Sequence, residues 1–399
     1  MAERRQFEVN RYPRAFYVTA FIIVAIAAYV AGTYHTQILN SVATTLGAKP
    51  VETLDFSSVQ TTYRQLAQNY DGKLDTKLLI EGASRGLVKA AGDDYTQYFN
   101  SEESKQFSDD LSGTVGGGIG VELGLRNERV TVNRVLADNP GAKAGLLAGD
   151  VVTKVNDESA TTDWTVDDVV NRVRGEAGTT VKLTVLRGTE TKEFSITRAE
   201  INNPSVYSSV ENNIGILTIS RFDDQTGSLA RQAAQSFKDQ NVKSVIVDLR
   251  GNGGGYITAA QDVAGIWLDK KVVVSERVNG KVEEELTSGS NPILAGIPTI
   301  LLVNGSSASA SEIVAGALQE YGAATLVGET TFGKGSVQKL VSLPEGAELK
   351  VTIASWYTPK GKNISKKGIT PDTTVERSAD DINANRDPQL DAAKQKLSQ

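Results

Sequence analysis

GETTFGKGSVQ, residues 328 to 338, has the outline of a nucleotide-binding loop. Gly328, four further residues, then Gly333 and Lys334 complete that pattern except for its last letter. Whether Lys334 holds a phosphate therefore decides what fold surrounds it. A phosphate loop needs Ser or Thr after the lysine to hold magnesium, and a helix whose N-terminus receives the phosphates. Here Gly335 follows, and Ser336-Val337-Gln338-Lys339-Leu340-Val341 is β-type in composition and reaches Pro344 with no room for a helix. Ser336 to Lys339 also fits S-x-x-K, but the S-D-N and K-T-G elements that go with it in penicillin-binding enzymes are absent from the chain. The lysine needs another explanation.

Its partner lies upstream. Thr299-Ile300-Leu301-Leu302-Val303 is an apolar run of the buried-strand kind, and a serine-rich turn joins it to a helix at about 309–321. Ser309, with Glu312 three residues on, fits a capping box, so a well-capped helix and nothing more is one reading. The other is a nucleophile. An oxyanion formed there would face free backbone N–H groups and the positive end of the helix dipole. Gly253-Gly254-Gly255, ending the strand-like Val245 to Leu249, could supply a second N–H donor.

Composition restricts the base. The chain has no cysteine and one histidine, His35, just beyond an apolar N-terminal segment. A thiolate nucleophile, a cysteine metal site and a multi-histidine metal site are excluded, and a Ser-His-Asp triad has one ill-placed base. A lysine screened from water can have its pKa lowered enough to accept a serine proton. Glycines around Lys334 would let the backbone come close, and Gln338 could hold the amine in line. Spacing alone leaves both readings of Ser309 open.

The whole chain, 399 residues, has room for two or three domains. A net charge of −6 without a long basic run argues against nucleic acid as a partner. Residues 15–31 are almost wholly apolar, with Arg4, Arg5, Arg11 and Arg14 before them and no Lys or Arg after until Lys49. That asymmetry predicts a cytoplasmic N-terminus and an exported body. The run suits an uncleaved single-pass anchor in the cell membrane, with a cleaved signal peptide and a secreted or periplasmic body as the alternative. From 51 to about 105 apolar residues recur at helical spacing, including Val59, Tyr63, Leu66 and Tyr70, and predict helices packed on something larger.

Near residue 113 the texture changes. GTVGGGIGVEL, then Val130-Thr131-Val132, NPGAKAGLLAGDVVTKVND, a helical face at Val166, Val169, Val170 and Val173, and the alternating Val181, Leu183 and Val185 resemble a PDZ domain. Gly118 and Gly120 would turn backbone N–H groups toward a carboxylate, as in a nest. Ile119 and Val121 would begin a strand edge on which an extended peptide adds, with the helix at about 165–174 as the opposite wall.

Ser307-Ala308-Ser309-Ala310-Ser311-Glu312 followed by Thr331-Phe332-Gly333-Lys334-Gly335-Ser336-Val337-Gln338 resembles the C-terminal processing peptidases, or tail-specific proteases. DLRGNGGG at 248–255, DDYTQYF at 93–99, Tyr357 to Gly361 and Gly368 to Asp372 look like the same family, over about 52–390. The resemblance implies Ser309 as nucleophile, Lys334 as general base and Gln338 as the residue that orients the lysine. It implies an oxyanion hole from the N–H groups of Ala310 and of a glycine within 253–255, here assigned to Gly255, with no metal or organic cofactor. Glu312 and Glu320 sit where some members place a supporting acid.

The expected architecture is an α/β peptidase core of ClpP/crotonase-like type, with a helical region and a PDZ domain before it and a membrane anchor first. The expected boundaries are 1–32 for tail and anchor or signal, 33–105 helical, 106–200 PDZ, 201–376 peptidase core and 377–399 C-terminal tail. Expected partners are protein substrates held by their C-termini and the membrane through 15–31; the N-terminal helices and the tail are candidate elements for a homo-oligomer. The rival to an endopeptidase is a membrane-anchored PDZ scaffold on an inactive peptidase fold. A thioester hydratase with glycine-rich oxyanion loops would have no use for Ser309 and Lys334 together.

Overall fold

The computed structural model describes residues 21, 23, 24, 54–113, 115–161 and 163–398. Residues up to Leu79 form one unit and those from Ile80 a second. Helix α1 is Ser57–Asn69 and helix α2 is Thr76–Ala90. The predicted stripe, Val59, Tyr63 and Leu66 on α1 with Tyr70 just beyond it, is exposed.

In the second unit, strand β1 (Gln97–Phe99) leads into helix α3 (Ser101–Ser112), which Asn100 and Glu103 close with a reciprocal capping box. Then come β2 (Val115–Gly118), β3 (Val121–Arg126), β4 (Arg129–Val135), helix α4 (Pro140–Ala144), β5 (Val151–Val155) and β6 (Glu158–Ser159). Helix α5 (Val166–Val173), β7 (Thr180–Arg187), β8 (Glu190–Thr197) and β9 (Ala199–Ile201) complete this part. Its sheet has the order β3-β4-β5-β7-β8, so β3 is an edge strand. Ile119, Val169, Val173 and Leu183 share its core, which is why the valines of α5 recur at intervals of three and four. Strands β2 and β9 pair antiparallel with Gly118 opposite Ala199, so the chain enters and leaves this domain side by side.

Beyond it are β10 (Val206–Glu211), β11 (Ile214–Ile219), α6 (Thr226–Asp239), β12 (Ser244–Asp248), α7 (Ile257–Ala264), β13 (Val272–Val278) and β14 (Lys281–Thr287). Next come β15 (Thr299–Val303), α8 (Ala310–Glu320), β16 (Thr325–Gly328), β17 (Ser336–Ser342), β18 (Glu348–Tyr357), β19 (Thr373–Thr374), α9 (Ala379–Asn383) and α10 (Pro388–Leu397). One sheet runs β10-β11-β12-β15-β16-β19 and is parallel except between β10 and β11. Its central strands alternate their side chains between two cores. Val245, Val247, Leu301 and Val303 pack with Phe237, Ala260 and Val314 of α6, α7 and α8. Ile246, Ile300 and Leu302 face the other way, onto Leu390 and Ala393 of α10. Burial on both faces explains the uninterrupted apolar runs.

A second sheet is antiparallel throughout, in the order β1-β18-β13-β14 with β17 also paired to β18. This separate sheet, which draws one strand from before the domain between β2 and β9, corrects the expected ClpP/crotonase-like core. The expected membrane anchor is corrected as well. Among the described residues no helix is long and apolar enough to cross a membrane. Of the run 15–31 only Phe21, Ile23 and Val24 are described, and the rest of it lies outside the described residues. The membrane partner and the single-pass location are withdrawn with it.

Helix α10 is fixed by charge as well as by packing. Arg250 donates to both oxygens of Asp387, at 2.7 and 2.9 Å, and to Asp248, and Asp387 accepts from Leu390 N–H at the start of α10. Burial opposes ionisation of Asp387, but the bonds from Arg250 and Leu390 outweigh it and leave the carboxyl below its ordinary pKa. A depressed carboxyl contributes stability that is present above its unfolded pKa, about 3.9, and is lost as pH falls through the folded value. Asp387→Asn is expected to cost about 3 kcal/mol near neutral pH by breaking a largely buried pair. The gap from wild type should close on acidification in denaturant melts; a gap independent of pH would remove the charge from the explanation.

Candidate active site

Ser309 follows β15 and caps α8, at the C-terminal ends of the parallel strands, where open α/β sheets bind ligands. The loops after β12 and β15 are stitched together there. Ser307 Oγ donates to Leu249 O at 2.8 Å, Ala308 N–H to Asn252 O at 3.0 Å and Ser311 Oγ to Asn252 O at 2.9 Å. This holds Gly253 to Gly255 against the serine. A Cβ on Gly254, whose φ is +103°, would lie 2.7 Å from Ser309 Cβ. Ser309 itself has φ 54° and ψ −116°, a conformation few L-residues adopt. Such backbone strain costs on the order of 1–3 kcal/mol and clusters at active sites.

Glu312 explains how that conformation is held. It is fully buried one turn into α8. One carboxylate oxygen accepts from Ser309 N–H at 2.9 Å and from Lys334 N–H at 3.0 Å. The other accepts from Thr331 Oγ1 at 2.6 Å and Gly333 N–H at 2.7 Å. All four partners donate, so a carboxylate, which only accepts, fits every contact.

Lys334 thus enters the site by its backbone. Gly333 is required beside it: with φ +89°, a Cβ there would meet the backbone nitrogens of Lys367 and Gly368 within 2.9 Å. Trp356, buried in β18, donates from its indole to Lys334 O at 2.7 Å and fixes the loop on the antiparallel sheet. The Nζ lies 5.5 Å from the centroid of the Tyr95 ring. Burial pushes the Lys334 pKa below that of an ordinary lysine, with Glu312 pulling the other way.

One cleft of about 590 Å³ is lined by Ser309, Lys334, Gln338 and Gly255 together. Gln338 Nε2 donates to Ser336 Oγ at 2.8 Å and to Thr352 Oγ1 at 3.4 Å; no hydrogen bond among the described residues joins it to Lys334. Thr352 in turn donates to Asp93 at 2.6 Å. Tyr95 beside the lysine, and Thr352 and Asp93 in line behind Gln338, are residues that the sequence reading did not single out, although 93–99 was noted as one of the family-like stretches.

Among the described residues the N–H groups of Ala310, Gly253 and Gly255 have no acceptor, whereas Gly254 N–H is taken by Asn252 Oδ1 at 2.9 Å. Gly255 forms a parallel bridge with Phe222, in which Gly254 O and Tyr256 N face Phe222. The N–H of Gly255 therefore points the opposite way. Gly118, Ile119, Gly120 and Val121 do not line this cleft. They join β2 to the edge strand β3, and the N–H groups of Ile119 and Gly120 have no acceptor among the described residues.

The profile of Peptidase family S41 matches residues 213–375 and that of the PDZ domain residues 117–197. The "Probable CtpA-like serine protease" of Staphylococcus epidermidis is 35% identical over 348 residues, covering 85% of this chain and 70% of that protein. The photosystem II D1 C-terminal processing protease superposes with a TM-score of 0.52 at 27% identity, covering 81% of this chain and 87% of that one. A putative S41 protease from Bacteroides fragilis gives a TM-score of 0.60 at 17% identity, over 88% of this chain and 99% of that one, a likeness of fold. These likenesses replace the ClpP/crotonase-like description of the core with the tail-specific protease fold.

Two outcomes follow from the geometry. Ser309→Gly relieves the strained φ and should raise stability by about 1 kcal/mol in thermal melts, while removing the hydroxyl; a loss of stability would show that the conformation carries no strain. Glu312→Gln turns an amide NH₂ toward two N–H donors and should cost about 3 kcal/mol. It also removes the charge that raises the Lys334 pKa, so any activity that needs neutral Lys334 should rise at lower pH.

Proposed function

The chain belongs to peptidase family S41 and is a serine endopeptidase of the C-terminal processing type with an adjoining PDZ domain, and from that premise we propose that Ser309 is its nucleophile and Lys334 its general base. The observation that carries the assignment is the one cleft that holds Ser309 beside a lysine whose pKa is lowered by burial. Neutral Lys334 takes the proton from Ser309 Oγ, and Oγ attacks the scissile carbonyl carbon. The tetrahedral oxyanion is held by the N–H groups of Ala310 and Gly255, both without an acceptor among the described residues. The protonated lysine gives its proton to the departing amine, and water, deprotonated by the same lysine, releases the acyl group. Gln338 acts on the dyad through its place in the cleft and its bonds to Ser336 and Thr352.

The PDZ domain, over 106–200, takes substrate C-termini at Gly118 to Val121, where the N–H groups of Ile119 and Gly120, without an acceptor among the described residues, suit a carboxylate and the edge of β3 suits an added strand. The division that goes with this reading is a helical region before the PDZ domain, a peptidase core over 201–376 and a tail segment at 377–399; of the expected span 33–105, residues 33–53 lie outside the described residues. The substrates are loosely folded proteins, since only an extended segment can add to a strand edge and also reach a cleft of this size.

An unfolded protein such as casein tests the assignment. Wild type should cut it, and Ser309→Ala and Lys334→Ala, each shown to be folded, should not. Cutting by Lys334→Ala would remove the lysine from the mechanism.

A further inference from the structure

A second lysine, Lys350, lines the same cleft and takes no part in the chemistry above. It lies in β18, opposite Gln97 of β1 on one side and Leu340 of β17 on the other, so strands on both sides fix its backbone. Its Nζ is 5.3 Å from the centroid of the Phe99 ring and 5.1 Å from that of Phe107. The two rings stack on each other with centroids 5.1 Å apart. Aromatic faces steady a cation without neutralising it. No carboxylate of the described residues forms an ion pair with this ammonium. Burial lowers its pKa from the ordinary lysine value, and the neighbouring charge of Lys334 adds to the effect.

A half-buried cation is costly unless something compensates it. If packing were the only role, methionine would serve as well, because it would meet the two rings without the desolvation cost of a charge. The charge faces a cleft that substrate must enter, and a substrate carboxylate would supply the missing counter-ion. We propose that Lys350, on its platform of Phe99 and Phe107, is a specificity-determining residue that binds a carboxylate of the substrate close to the scissile bond. The carboxylate is either an acidic side chain near the cut or the free end of a substrate whose C-terminus lies in the cleft. A basic side chain at that position is rejected by like charge. The inference rests on Ser309 and Lys334 being the reacting pair, because they make this cleft the substrate path.

Internally quenched peptides test it, with Glu, Gln or Lys scanned through the positions around the cut, and each peptide made with a free or an amidated C-terminus. Wild type should prefer Glu over Gln at one position by about tenfold in kcat/KM, the size of a charge-assisted hydrogen bond. If the free end is the ligand, the same ratio should appear between free and amidated peptides. The preference should vanish in Lys350→Met, persist in Lys350→Arg and turn toward Lys in Lys350→Glu. Lys350→Met slowing every peptide by one common factor, or leaving the Glu-to-Gln ratio intact, would overturn the assignment. A wild type that cuts no peptide would count against the catalytic pair and leave this inference to binding. In that case the labelled peptides are titrated onto Ser309→Ala by fluorescence anisotropy, where equal affinity for Glu and Gln peptides refutes the carboxylate site and a Lys350-dependent difference supports it.

Discussion

The catalytic cleft depends on one buried carboxylate. Glu312 receives the backbone N–H groups of Ser309, Gly333 and Lys334 and the hydroxyl of Thr331, and so ties two segments more than twenty residues apart to a single point. Neither segment is an element of regular structure at that point. One is a strained turn before a helix, and the other is a glycine loop before a strand. Loops of that kind wander unless something over-determines them, and four hydrogen bonds to one buried charge do so. In the mechanism proposed above the same charge sets a limit, because it favours the protonated form of a lysine that would act as the neutral base. Burial of Lys334 has to outweigh it, and the lowered pKa indicates that it does.

Two sheets divide the remaining work. The parallel sheet brings Ser309 and the glycine cluster together at the ends of adjacent strands β12 and β15, where backbone N–H groups run out of partners. The antiparallel sheet carries Trp356, Gln338 and Lys350 and anchors the loop of Lys334. The cleft forms where the two meet. Neither sheet alone positions both Ser309 and Lys334, which makes the seam the place where the geometry of the cleft is set.

Much of the site was legible because its chemistry is local in sequence. Ser309 stands out as a serine between a buried strand and a helix, and Lys334 as a lysine that glycines surround without a phosphate-binding context. The absence of cysteine and the single histidine then leave few bases to choose from. The surroundings of Lys334 were less legible, since Asp93, Tyr95 and Thr352 come together only through the pairing of β1 with β18, some 250 residues apart. No periodicity announces a pairing of that range, and a three-residue strand has almost no pattern of its own. The same long-range sheet is what the expected ClpP/crotonase-like core left out. The tail showed the converse. After Glu376 the sequence looks mixed and solvated, yet Ala393 is buried on the second face of the parallel sheet with Leu390, Ala392 and Leu397 packed beside it, and Gln389 is buried in hydrogen bonds to Glu329 and Val375. A few short or scattered apolar side chains and one capping aspartate are enough for docking, and too few to stand out among charged neighbours.

The ribbon of β2 and β9 has an architectural meaning. Because Gly118 sits opposite Ala199, the chain departs from the peptidase and returns to it at neighbouring positions, about 5 Å apart in a paired ladder. The peptide-recognition domain is therefore an insertion with a single doorway. The peptidase pairs β1 with β18 across the whole insertion, so its own registers make no reference to what lies between. A module built in this way can be exchanged, lengthened or replaced by a short turn without resetting the host sheets. Selection on which chain ends are recognised can then proceed in one module while the geometry around Ser309 stays fixed in the other.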